Sequence, residues 1–548
     1  MKRRHAHKTN VLLVNITRLG DMLQATPTIA GMRMENPDCK VSVVVEKQFE
    51  GVCKIIPGID EVVSVDLGMT VRALAREGEG ILDAYEYVDQ FVTDLRSKKY
   101  DYCLNMSSSP YTAMLLNLLG IKRNGGWSSD DEGFRVIESE WARLFASSVF
   151  HQNRQYNSLN LVDVFRCSAD VEQHPHKLVL TPPESDLVYV DQMLAEAGFT
   201  NQGPLVAVQA GASQGKRQWS PQNFISFINC LVNNYGCRVV LTGTQKEMPI
   251  IDPIVKGCNS PNVLVAAGKT NIPQLAALLK RCQVCVTGDT GTMHISVAVA
   301  TPVVAVFLAS AFGFETGPYS EGNIVLQPVI GCGPCNPNKP CARPDCHQHI
   351  DPEVLARIAA QRCQGDIRAL PTEWFDPSKI IVYRTQFDQF GFYDMQAISS
   401  NVADPLRRYR QAYRKLWLDD LGGFPQDVQS ISHAKQSLVV VPTELEGLTQ
   451  VIQAAEQGAR HITQLVSLVK DVNSSPKLLG QVNDQLSGLD REIEQMGFHY
   501  PHLGPLTRMF VFGKENISGA DALGLASQML GVYKDLGTRA HKLSAYYY

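Results

Sequence analysis

The sequence predicts an α/β protein built of two successive strand–helix units and closed by a helical region. Three observations carry that expectation. Short β-branched runs alternate with amphipathic helical patterns from residue 11 to about 185, and again from 205 to about 365, as parallel sheets require. Within the second stretch, Val286–Phe307 reads strand, Gly-rich turn, helix, strand. Beyond about 371 the alternation gives way to long helical patterns.

In the first unit, VLLVNI (11–16) is a strand and Asp21–Asn36 a helix. VSVVVE (41–46) is a strand, Phe49–Ile56 a helix stopped by Pro57-Gly58, and VVSVD (62–66) a third strand. A long amphipathic stretch over 69–98 carries Val71, Leu74, Ile81, Tyr85, Val88, Phe91 and Leu95 at helical spacing. YCLNM (102–106) is another strand, and 130–175 reads as mostly helical. Pro182-Pro183 closes this unit, which is taken as 1–185. The second unit, 186–365, runs LVAVQAG (205–211), helix Asn223–Tyr235, CRVVLTG (237–243), NVLVAAG (262–268), helix Ile272–Lys280, and then the Val286–Phe307 element. From 371 to 548, Pro405–Leu418, Glu444–Val472, Lys477–Met496 and Ala520–Leu543 read as helices of an all-α extension suited to homo-oligomer contacts or partner docking.

Composition bounds the function. The chain has 548 residues, 44% hydrophobic and 19% charged, with a formal net charge of −4. No global basic field points to nucleic acid. The basic MKRRHAHK start runs directly into a strand pattern too short for a membrane span or a signal core. The expectation is a cytoplasmic protein with at most peripheral contact at the inner membrane. Most of the fourteen cysteines are scattered singly and read as reduced core residues.

Four motifs follow strands, where open α/β sheets bind ligands. Asn15–Pro27 puts Arg18, Gly20 and Asp21 in a strand-to-helix turn, with Asp21 either a helix cap or a carboxylate held as a general base. Gln209–Phe224 presents Gly211-Ala212-Ser213, the cations Lys216 and Arg217, and Trp219; small residues permit close approach and the cations suit a phosphate. Leu241–Glu247 places Thr242 and Gly243 before Glu247, which is suited to a ribose diol or to a helix start. In the fourth, Gly288-Asp289-Thr290-Gly291 opens a helix carrying Met293 and His294, and its N–H groups suit an anion.

In this order the motifs resemble glycosyltransferase family 9, the ADP-heptose transferases of the bacterial envelope. The resemblance rests on Arg18-Leu19-Gly20-Asp21 with Thr26-Pro27, on Gly211-Ala212-Ser213 with Trp219, and on Gly243 with Glu247. It continues through Gly288-Asp289-Thr290-Gly291 with Met293-His294, Thr301-Pro302 and Thr316-Gly317-Pro318-Tyr319. It covers about 11–365, and Asp-Thr-Gly-x-Met-His is its most specific element. It implies the GT-B arrangement of two Rossmann-like domains facing a cleft, and inverting transfer with no metal in the chemistry. Asp21 matches the family's general base, and Arg18 and Gly20 lie in its acceptor-side loop. The Ser213 region, a cation at Lys216 or Arg217, and the N–H groups at Thr290-Gly291 would meet the diphosphate. Asp289 would hold sugar hydroxyls and Glu247 the ribose. Thr242, Gly243, Met293 and His294 complete the donor set.

Three departures stand out. Arg217 occupies the place where the family usually has Lys. Phe307-Leu308-Ala309-Ser310 replaces Phe-Gly-Pro-Thr. The region after 371 is extra. The resemblance implies an ADP-sugar donor and leaves three readings: a lipid-linked envelope saccharide as acceptor, a protein acceptor, or an inactive scaffold.

Cys332, Cys335, Cys341 and Cys346 cluster within CGPCNPNKPCARPDCHQH. A C-x-x-C pair with two further thiols suits one structural zinc or iron ion, four protein ligands leaving no open position. Similar clusters in part of the family are associated with a metal finger.

Overall fold

A computed structural model describes residues 9–16, 18–76, 80–121, 123–150, 152–199, 203–399, 404, 406–425, 442–471 and 473–547. The basic Met1–Lys8 segment lies outside them. The chain divides into two compact units, Met1–Ser128 with Leu159–Asp404, and Ser129–Ser158 with Pro405–Tyr548.

The first unit holds two sheets. In one, β1 (Asn10–Asn15), β2 (Lys40–Glu46), β3 (Glu61–Val65), β4 (Tyr102–Asn105) and β5 (Asn124–Ser129) run parallel in the order β3-β2-β1-β4-β5. The Val-rich β1 and β2 are buried on both faces, which is why they read as unbroken apolar runs. The short strand β6 (Arg135–Ile137) follows, in the chain segment of the second unit. The other sheet has β7 (Leu205–Gln209), β8 (Arg238–Thr242), β9 (Val263–Val265), β10 (Val284–Thr287), β11 (Val303–Val306) and β12 (Ile324–Pro328), all parallel in the order β9-β8-β7-β10-β11-β12. Each sheet thus reverses its winding next to its first strand, beside β1 and β4 in one and β7 and β10 in the other. A ligand crevice belongs at the carboxyl ends of those strands.

The second sheet extends past the expected boundary near 365. β13 (Ile380–Phe387) pairs antiparallel with β12, and β14 (Tyr393–Ala397) antiparallel with β13. The sequence reading gave 371–548 to helices throughout. A lone two-stranded hairpin without parallel neighbours leaves little periodicity to detect, and here it covers the otherwise open edge of β12. The stretch over 69–98 also differs. It forms two helices, Leu67–Leu74 and Gly80–Ser97, and Val71, Leu74, Ile81, Tyr85 and Val88 are exposed rather than core.

The second unit is mainly helical. Residues Arg407–Asp420, Pro442–Lys470, Pro476–His499 and Ala522–Tyr547 are the four expected helices. A fifth, Gly504–Glu515, escaped the sequence reading because it opens on Gly-Pro. Glu140–Ser148 belongs to this unit although in sequence it lies between the strands of the two sheets. Arg539 joins the two pieces by ion pairs to Glu140 (3.0 Å) and Asp420 (2.7 Å). Asn516 Oδ1 accepts from the Ile137 amide at 3.0 Å.

Gly458 lies where the long Pro442–Lys470 helix meets Tyr533, and an added Cβ would stand 2.1 Å from that ring. Gly458→Ala is therefore expected to cost about 1–3 kcal/mol, read as a lower urea midpoint for the helical unit. An unchanged midpoint would contradict this packing.

Candidate active site

The two crevices are brought together by glycine. Residues Leu19–Gln24 form a short helix after β1, and Gly291–Ala298 forms one after β10. A Cβ on Gly291 would stand 2.9 Å from Leu19 Cδ2, and one on Gly20 would stand 3.1 Å from His294 Cδ2. The turn that carries Arg18 and Asp21 is thereby seated directly on the Gly288–His294 turn. Arg18, in extended backbone, occupies the N-cap place, so Asp21 is the third residue of the helix rather than its cap. An acid in a first helical turn is favoured by the helix dipole.

On the facing side, Asp289 is held through both oxygens. Oδ2 pairs with Arg217 Nη1 at 3.0 Å, and Oδ1 accepts from Thr316 Oγ1 at 3.2 Å. Arg217 is itself oriented by Nε donation to Ser310 Oγ at 2.7 Å. Ser310 stands where the resemblance expects Thr, so the Leu-Ala departure before it leaves a hydroxyl in place. Thr290 is the N-cap of the Gly291–Ala298 helix but makes no capping bond; its Oγ1 lies 2.9 Å from Thr287 Oγ1. Thr290 thus leaves the first amide groups of that helix uncapped by its side chain, and they suit an anion.

Met293 is fully buried and packs the helix onto the sheet. His294 is 4% exposed, and its Nδ1 has no hydrogen-bond partner among the described residues. Burial drives its imidazole down to about 4, so the ring beside Gly20 is neutral near pH 7.

Glu247 is fixed by a capping box, its Oε2 accepting from the Thr244 amide (2.6 Å) and from Thr244 Oγ1 (2.9 Å). Its Oε1 accepts from Gln209 Nε2 at 3.0 Å. Gly211 has to be glycine, since a Cβ there would fall 1.6 Å from Glu247 Oε1. Gln209 is the hub, its Oε1 accepting from Thr242 Oγ1 (3.0 Å) and Thr292 Oγ1 (3.1 Å). The sequence reading missed Gln209, Thr292 and Ser310. The one available signal was a polar residue ending the apolar LVAVQ strand. Gly243 completes the turn between β8 and Glu247, and Ser213 is exposed at the loop tip.

Lys216 points away from this group. Its Nζ donates to the carbonyls of Asn336 (2.6 Å), Pro337 (3.0 Å) and Lys339 (2.8 Å), and its own carbonyl lies 2.8 Å from His347 Nε2. It ties down the cysteine loop, leaving Arg217 as the cation at Asp289. Trp219 anchors the same loop through Nε1 to the His347 carbonyl at 3.2 Å. In that loop Cys346 is buried, Cys335 half-buried, and Cys332 and Cys341 exposed. Burial, and then the neighbouring Cys332, Cys346 and Cys341, push the Cys335 thiol up to about 11. Among the described residues no three His, Cys, Asp or Glu side chains are arranged to share one ion. The donor chemistry of four adjacent thiols nevertheless fits a soft or borderline metal. No helix among the described residues is long and apolar enough to cross a membrane.

Two sheets wound for nucleotide binding, with a carboxylate turn of one seated on the Gly-Asp-Thr-Gly turn of the other, define a glycosyltransferase-like enzyme. Residues 88–344 match the sequence model of glycosyltransferase family 9 (heptosyltransferase). It is 26% identical over 295 residues to lipopolysaccharide heptosyltransferase 3 of Escherichia coli, covering 53% of this chain and 81% of that one. It is 23% identical over 333 residues to lipopolysaccharide heptosyltransferase 2 of Salmonella typhimurium, covering 59% and 88%. Among solved structures, E. coli ADP-heptose lps heptosyltransferase II aligns with a TM-score of 0.48 at 18% identity, covering 65% of this chain and 99% of that one. E. coli heptosyltransferase WaaC with ADP aligns with a TM-score of 0.43 at 18% identity, covering 59% and 94%.

The neutral His294 gives a pH prediction. Its folded value lies below the ordinary 6.5, so the unfolded chain binds the proton first as pH falls. Stability is then lost between about pH 6.5 and 4, by about 2 kcal/mol at pH 5 relative to pH 7. His294→Gln is expected to remove that increment, measured as the change in unfolding free energy between the two pH values. A variant with the wild-type slope would contradict burial of the ring.

Proposed function

We propose that this chain is an inverting heptosyltransferase that moves a heptose from ADP-heptose to a saccharide of the bacterial envelope. The observation that carries the reading is the seating of Leu19 and Gly20 on the Gly291–Ala298 helix. It supports an acceptor-side carboxylate working beside a donor site. In this reading Asp21 takes the proton from the acceptor hydroxyl as that oxygen attacks the anomeric carbon. The bond from that carbon to the diphosphate breaks, and ADP leaves from the opposite face. Arg217 and the N–H groups at Thr290-Gly291 meet the charge that develops on the leaving group. Asp289 orients sugar hydroxyls. Glu247, already locked by Thr244 and Gln209, receives the ribose. Side chains and backbone carry the chemistry without a metal, and the enzyme meets its donor in the cytoplasm.

The cysteine loop packs against the same end of the domain. Its Cys335 amide donates to the Ala309 carbonyl at 2.9 Å, next to Ser310. Cys332, Cys335, Cys341 and Cys346 would hold one structural zinc or iron ion, which would stiffen this loop and take no part in transfer.

With ADP-heptose and a heptose-accepting core saccharide, wild type is expected to form product by mass spectrometry. Asp21→Asn is expected to lose about 10²–10⁴-fold in kcat while still binding ADP-heptose. Full turnover by the variant removes Asp21 from its role, and failure of wild type to bind any ADP-sugar overturns the whole reading. Anaerobically purified protein is expected to carry close to one zinc or iron per chain, lost in Cys335→Ser. Metal-free wild type would dismiss the metal site.

A further inference from the structure

Behind Asp289 lies a buried ionic node that the proposed chemistry does not use. Asp163 sits on the Leu161–Ser168 helix of the first sheet's side and is fully buried. Its Oδ1 accepts from Arg166 Nε (2.9 Å) and from Tyr319 Oη (2.8 Å), and its Oδ2 from the Tyr393 amide (3.0 Å). Tyr319 comes from beyond β11 and Tyr393 from β14, so one carboxylate gathers three separate parts of the chain.

Tyr319 is completely enclosed. It stacks on Tyr393 with centroids 5.7 Å apart and meets the edge of Phe387 at 5.0 Å. Burial pushes its phenol far above the ordinary value, so it stays protonated and always donates. Three residues before it, Thr316 makes the hydrogen bond to Asp289 Oδ1. The residues between have little slack. A Cβ on Gly317 would stand 2.2 Å from Tyr393 Oη and 2.3 Å from the Gly313 carbonyl, and Asn160 Nδ2 reaches the Gly317 carbonyl at 3.5 Å. The position of Thr316 is thus fixed from its far side, by Tyr319 and the β13–β14 pair.

We propose that Asp163 is a positioning residue for sugar recognition, acting through Tyr319 and Thr316 on the orientation of Asp289. The proposal rests on the reading of Asp289 as the ligand of the sugar hydroxyls. It makes the β13–β14 pair, which lies beyond the family-matched region 88–344, part of the donor site's support. A buried carboxylate with three directed donors holds a single geometry, because any other arrangement leaves a charge unpaired out of water. Asp289 has two oxygens to share among Arg217, Thr316 and a sugar. Where Thr316 sits decides how the Oδ1 it holds faces the sugar, while Oδ2 keeps its separate pair with Arg217.

The test compares two ligands on the full-length protein, ADP and ADP-heptose, by titration calorimetry. Tyr319→Phe removes one hydroxyl and keeps the ring stack. It is expected to weaken ADP-heptose about tenfold while ADP binding stays within about twofold. Asp163→Asn keeps the side-chain shape and is expected to give the same selective loss, so either folded variant decides the matter. Thr316→Val is expected to reproduce it, and Tyr319→Phe with Thr316→Val to add nothing further. Equal loss of both ligands marks Asp163 and Tyr319 as merely structural and overturns the proposal, as does no loss or full additivity. If wild type binds ADP but shows no preference for ADP-heptose, the reading of Asp289 itself falls.

Discussion

The close approach of two backbone turns governs this site. Gly20 and Gly291 leave little room for a Cβ, Gly20 lying against His294 and Gly291 against Leu19. Both turns follow first strands or switch-point strands of their sheets, so the sheets' topology delivers them to carboxyl ends. Glycine then lets them touch. A Cβ at either place would meet a side chain of the facing turn at 2.9–3.1 Å, so a residue there would press the two turns apart. Near-attack geometry is sensitive to such displacements. The neutral, buried His294 fits this constraint: burial outweighs the attraction of the Asp289 carboxylate and disfavours a charged ring.

The charges around the site are disposed in two ways. Arg217 and Asp289 are mostly buried, at 12% and 14% side-chain exposure, yet remain next to the turn that opens on the cleft. Asp163 and Arg166 are sealed, at 1% and 6%. A sealed pair adds little net stability over an apolar replacement, but it penalises every alternative packing. A partly open pair can exchange one partner for a ligand. Lys216 belongs to neither, because three carbonyls of the cysteine loop already take its three protons.

Much of this was legible in the sequence, for a physical reason. Strands buried on both faces, such as VLLVN and VSVVV, must be continuously apolar, and the turns after them carry the small and charged residues that ligands need. The parts that escaped reading are those whose signal lies far off in the chain. Glu140–Ser148 is paired with helices more than 350 residues later, through Arg539, and nothing local records this. β13 and β14 mix Arg, Gln and Asp into strands whose apolar residues pack on Tyr319, β12 and the core of the second sheet. The apolar periodicity over 69–98 misled in the opposite sense, since most of that face is exposed. Lys216 and Arg217 are adjacent and chemically alike, and only their backbone directions separate a loop clamp from a site cation.

Glu247 shows how a helix-start carboxylate can keep capacity for a ligand. Its Oε2 closes a capping box on Thr244, and its Oε1 accepts from Gln209. Each carboxylate oxygen has a second lone pair, so these bonds use up only part of its capacity. Because Gln209 is locked by Thr242 and Thr292, its amide presents nitrogen, not oxygen, to Glu247. That fixed donor keeps the Glu247 carboxylate aimed past Gly211, where no side chain obstructs it. A hydroxyl pair arriving there meets an acceptor already oriented, and the ordering cost has been met by the fold before any ligand binds.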